Sequence, residues 1–231
     1  MKEMICDSNR QLSELVTEEP GLILILQRVG IPLGFGDSSI AQVCKRHGVN
    51  VDFFMLLCNI YTHEHYVPAT KHIVDTPMAQ LIPYLRQSHD YYVSKRLPHI
   101  ERHLHSIAKH LPKRVAQVLI RFFELYKREV IEHFAHEEKM VYPHVETLQA
   151  GNADNSYSIS TFIDSHGNLE DKLNDLVQII FKYLPESATS DDTMDVVYDI
   201  LQLSEDLNKH SLIEEKVLVP YVKKLEEGMA R

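Results

Sequence analysis

The chain repeats itself. Two segments 77 residues apart share one pattern. The first is His133-Phe134-Ala135-His136-Glu137-Glu138-Lys139-Met140-Val141-Tyr142-Pro143, and the second is His210-Ser211-Leu212-Ile213-Glu214-Glu215-Lys216-Val217-Leu218-Val219-Pro220. The same offset sets His89 on His166. Each copy holds a single His and, 44 residues later, a His with a Glu four residues beyond it. Positions i and i+4 of a helix point the same way. The duplication therefore offers four imidazoles and two carboxylates from helical faces, and the fold must bring those faces together.

Apolar residues recur at helical spacing almost throughout, and strand patterns are scarce. Four long helical patterns cover roughly 77–110, 113–147, 157–184 and 191–227, here called helices A to D. They are separated by Leu111-Pro112, by the polar stretch Gly151 to Ser156, and by Pro185 to Ser190. Short links between long helices make neighbours antiparallel, so the expected fold is all-α, an up-down four-helix bundle over 78–231. Pro83 and Pro98 in helix A predict a late start, a kink or a break. Residues 1–61 read as a small domain of three or four short helices, broken at Pro20-Gly21, Gly30 to Gly36 and Gly48 to Asn50. Asp37-Ser38 and Asp52 are its expected N-caps. Residues 62–77 read as a linker that ends on a helix start at Asp75-Thr76-Pro77.

The repeated residues fall on the apolar stripes. His89 aligns with Val93, Leu97, Ile100, Leu104 and Ile107. His133 and Glu137 align with Leu119, Phe123, Tyr126 and Val130. His166 aligns with Ile163, Leu169, Leu173 and Val177, and His210 and Glu214 with Val196, Ile200, Leu203, Leu207 and Val217. A carboxylate on such a stripe needs a cation, and no Lys or Arg shares the stripe near Glu137 or Glu214. Arg96 has an inward option, about two turns from His89. The reading is a two-metal site with two His per ion and both Glu as bridges. An oxo, hydroxo or water bridge would leave about one open position per ion, and iron, manganese or zinc suits these ligand types.

Other residues receive plainer readings. Glu170, four after His166, is an extra ligand or an outer partner, or else a rim residue. Tyr126 is a core aromatic. His99, His103 and His110 form a solvated flank of helix A, and His136 and His144 have no His counterpart in the second copy. The three cysteines, Cys6, Cys44 and Cys58, form no disulfide framework, which suits a reducing cytoplasm. A net charge of -9 argues against nucleic-acid or anionic-membrane partners. No run nears the ~20 apolar residues of a membrane span, and the polar start from Met1 to Arg10 is not a signal peptide.

With its flanking Glu-Lys and Pro, this pattern resembles the hemerythrin-like (HHE cation-binding) domain. More narrowly it resembles the iron–sulfur cluster repair di-iron (repair of iron centres) proteins. The resemblance implies that His89, His133, Glu137, His166, His210 and Glu214 hold two iron ions, with Glu137 and Glu214 bridging. It implies a cytoplasmic homodimer that protects iron–sulfur proteins from nitric oxide and oxidants, by donating iron or by reducing nitric oxide. Two departures count. Oxygen-carrying relatives place a fifth His where Glu170 stands, which speaks against oxygen transport. The repair proteins carry an adjacent Cys pair before Gly-Gly, where this chain reads Pro32-Leu33-Gly34-Phe35-Gly36-Asp37. A di-iron oxidoreductase and a non-catalytic sensor or store of oxygen, nitric oxide or iron both stay open.

Overall fold

The computed structural model describes residues 7–63, 65–152, 157–165, 169–186 and 190–229. All regular elements among them are helical. One isolated bridge pairs Gln11 with Ser39. The chain forms two compact units, one drawn from Met1–Gln87, His144–Ile159 and Ser211–Arg231, the other from Ser88–Pro143 and Ser160–His210.

The first unit begins with five short helices: α1 (Leu12–Glu18), α2 (Leu22–Arg28), α3 (Ile40–His47), α4 (Val51–Thr62) and α5 (Thr70–Asp75). The last of these lies inside the stretch expected as a linker. The N-caps fall one or two residues from the expected ones. Ser39, not Asp37-Ser38, caps α3: its hydroxyl accepts from Gln42 N at 3.3 Å while Gln42 Oε1 accepts from Ser39 N at 3.0 Å. Asn50, not Asp52, caps α4, with Oδ1 accepting from Phe53 N at 2.9 Å. The buried side chains set this phase, because Ile40 follows the first cap and Phe53 and Phe54 sit in the first turn of α4. Gly48 ends α3 at φ 68°, a conformation that costs glycine nothing. Arg28 is buried here, and its Nη1 donates to the Tyr61 hydroxyl at 2.7 Å.

Four long runs follow, within four residues of helices A to D. α6 (Leu81–Tyr91) passes through a π-helical turn (Tyr92–Arg96) into α7 (Leu97–Ala108). α8 (Lys113–His136) passes through a second (Glu137–Val141) into α9 (Tyr142–Gln149). α10 (Ile159–Ser165) and α11 (Glu170–Tyr183) make up the third run. α12 (Asp191–Ile213) passes through a π turn (Glu214–Leu218) into α13 (Val219–Met229). The second unit takes a length from each run and packs them as a four-helix bundle. Tyr92, Leu97, Ile100 and Leu104 meet Phe123, Tyr126, Val130 and Phe134, then Leu173, Leu176 and Val177, then Val196, Ile200, Leu203 and Leu207.

The prolines explain the π turns. Pro98, Pro143 and Pro220 each stand two residues past the end of one. A helical proline has no N–H and crowds the carbonyl four residues back. Widening one turn accommodates both defects and keeps the helix running. The break or kink expected at Pro98 is thus a widened turn, and Pro83 sits harmlessly in the first turn of α6. One stripe position differs from expectation: Ile163 is exposed, whereas Ile159 and Phe162 of α10 are buried. α10 and α11 are separate helices, so the apolar phase of α11 does not extend back to α10.

Candidate metal centre

The duplicated block places its Glu at a defined point of the backbone. Glu137 opens the π turn after α8, and Glu214 opens the one after α12. Both are essentially fully buried, at 1% and 0% exposure. π turns of this kind collect at functional sites.

Within the second unit, His89, Glu137 and His210 come together. His89 Nε2 lies 3.1 Å from Glu137 Oε2, 3.2 Å from His210 Nε2 and 3.1 Å from the Tyr142 hydroxyl. One ligating atom from each of the three falls within 4.8 Å of the others. Donors about 2.0–2.1 Å from a shared ion stand about 3.3 Å apart, so this spacing suits one ion. Two imidazole Nε2 atoms at this range cannot both carry protons, and at least one presents its lone pair, the ligating form. Glu214 follows His210 by four residues in the chain, at the start of its π turn.

The Glu137 carboxylate faces two ways. Oε2 meets His89, and Oε1 lies 2.9 Å from His133 Nε2. His133 is the most exposed member, at 18% of its side chain. The His89 ring is held on both sides. It stacks on Phe134 with centroids 4.0 Å apart, and its Nδ1 lies 3.1 Å from Glu138 Oε1. A carboxylate only accepts, so Glu138 favours the tautomer with the proton on Nδ1, the one that turns Nε2 toward a ligand.

Of the sequence-predicted residues, the structure gathers His89, His133, Glu137 and His210 and buries Glu214. His166 lies outside the described residues. Glu170 begins α11. Arg96 turns away from Glu137 and donates to Asp199, at 3.0 Å to its carbonyl and 3.2 Å to Oδ1. Glu138 and Tyr142 are contributors the sequence reading gave no role. Glu138 had a signal, since it repeats as Glu215, whereas Tyr142 has Val219 opposite it and offered none. His144 is structural: buried, with Nε2 3.0 Å from Glu226 Oε1, which also accepts from Ile159 N at 2.9 Å. Cys44 is buried too, and burial pushes its thiol up to about 12. It offers no thiolate in place of the missing Cys pair.

Residues 80–222 match the hemerythrin HHE cation binding domain. That span is more than half of the 231 residues, and the chain belongs to this family. No curated protein matches the chain. No helix among the described residues is long and apolar enough to cross a membrane. The family is a cation-binding one, and the buried His/Glu group fits a metal cation.

Proposed function

We propose that this protein is a non-haem di-iron protein of iron–sulfur cluster repair and of defence against nitric oxide and oxidants. The observation that carries the reading is the Glu137 carboxylate, buried with one oxygen toward His89 and the other toward His133. A carboxylate with two faces of this kind is the shape of a bridge between two ions. The ligand set is His89, His133, Glu137, His166, His210 and Glu214, with Glu170 as a further candidate.

The duplication supports one pairing, in which His89 and His210 would share one ion. The 77-residue offset exchanges His89 with His166 and His133 with His210, so the symmetric partner of that pair is His166 with His133. Bound iron would supply reversible one-electron chemistry and a position for a small diatomic ligand. The chain does the rest. Glu138 keeps the proton of His89 on Nδ1, the Phe134 ring holds that imidazole in place, and the bundle core keeps water from the carboxylates.

Metal analysis of anaerobically purified protein tests the reading, with two irons per chain expected. Both disappear in a Glu137→Ala, Glu214→Ala double variant, and full iron retention there would sink the ligand set. Sustained nitric oxide consumption by the reduced protein supports turnover. Stoichiometric binding without consumption supports the second reading, a sensor or iron store. That reading is favoured by one observation: Cys44 and Cys58, the cysteines among the described residues, are both buried.

A further inference from the structure

A second group of ligating side chains lies along the same bundle. His99 and His103 stand four residues apart on α7 and present their rings to one side, with centroids 4.3 Å apart. Asp199 on α12 meets both. Its Oδ2 lies 3.0 Å from His99 Nε2 and 3.9 Å from His103 Nδ1. One ligating atom from each falls within 4.8 Å of the other two. The other side of the carboxylate is already held, because Arg96 donates to Oδ1 and to the Asp199 carbonyl. Arg96 thereby aims Oδ2 at the two imidazoles. The imidazoles are a little over one-third exposed and Asp199 is mostly covered, at 36%, 37% and 16%.

We propose that His99, His103 and Asp199 form a second metal site, which binds one divalent transition ion of the zinc class. Two imidazole nitrogens and a carboxylate oxygen are a common three-residue set for such ions, with water filling the open positions. The spacings bracket the roughly 3.3 Å expected between donors around one ion. In the metal-free pair the His99 Nε2–H donates to Asp199 Oδ2, and a metal replaces that proton. The site stands ten residues along the helical run from His89, roughly 15 Å, and shares no ligand with the buried centre. Its exposure makes it an exchangeable position, where the buried centre is a closed one.

The test is a zinc titration of the iron-loaded protein against a chromophoric chelator, followed by a cobalt(II) titration read by visible absorption. Wild type takes up one zinc more than the His99→Ala, His103→Ala variant, at unchanged iron content. Asp199→Asn weakens that zinc at least tenfold, the smallest loss expected even of an outer-shell partner. His105→Ala, which alters an exposed residue of the same helix, binds as wild type does. Should the double variant lose helicity, His103→Gln alone must lower the zinc affinity at least as far as Asp199→Asn. Equal zinc uptake by wild type and the double variant overturns the site. So does an equal loss in His105→Ala, which would mark scattered surface histidines.

Discussion

Two His–carboxylate groups occupy this bundle, and they solve opposite problems. Asp199 is held by an arginine, and solvent reaches the imidazoles beside it. Glu137 is buried, meets imidazoles on both oxygens, and the nearest inward candidate, Arg96, is committed to Asp199. A buried carboxylate that faces imidazoles is costly unless a cation joins them. The partly exposed carboxylate is satisfied without one. Metal is therefore expected to be part of the stability of the first group and an addition to the second.

The sharpest test of that contrast is chelation. Removing iron from wild type should lower its melting temperature by roughly 10 °C, which corresponds to a few kcal/mol of linked binding energy in a chain of this size. The same treatment should leave the Glu137→Ala, Glu214→Ala variant unchanged, and scanning calorimetry reads the difference. Next in size is Glu138→Gln, which leaves every ligand in place but loosens the tautomer of His89. It should weaken iron about 10–100-fold, measured by competition with a chelator, and should affect one ion of the pair more than the other. A smaller effect follows Asp199→Asn. The lost carboxylate charge beside Arg96 costs about 1 kcal/mol in denaturant unfolding while iron content stays whole; iron loss there would break the separation of the two groups.

The smallest effect is at Cys44. Burial favours the neutral thiol, so the folded pKa, about 12, lies above the ordinary 9.0. Its contribution to stability is full below 9.0 and falls away between 9.0 and about 12, because the unfolded thiol ionises first. Alkylation at pH 8 should therefore leave Cys44 unlabelled in native protein and label it after denaturation, as peptide mass spectrometry reports.

Much of this was legible in the chain. The four helical runs, the inward stripes and the burial of Glu137, His210 and Glu214 follow from 3.6-residue periodicity and a copied motif. Helix starts were less legible: Ser39 and Asn50 cap where Asp37-Ser38 and Asp52 were expected, because core packing sets the phase and a cap adapts to it. The π turns were written as prolines, but a proline in a helix reads equally as a kink, a break or a widened turn until the neighbouring helices fix the path.

By itself the sequence determined which residue types face inward and that they come in two matched sets, since both facts are local and one-dimensional. Only the tertiary structure decided that Glu137 divides its oxygens between His89 and His133, that Glu138 orients His89 from 49 residues away, and that Asp199 gathers His103 and, from 100 residues away, His99. Those contacts join separate helices. Which side chain reaches which depends on ångström-scale rotation and offset between packed helices, and helical periodicity carries no information about either.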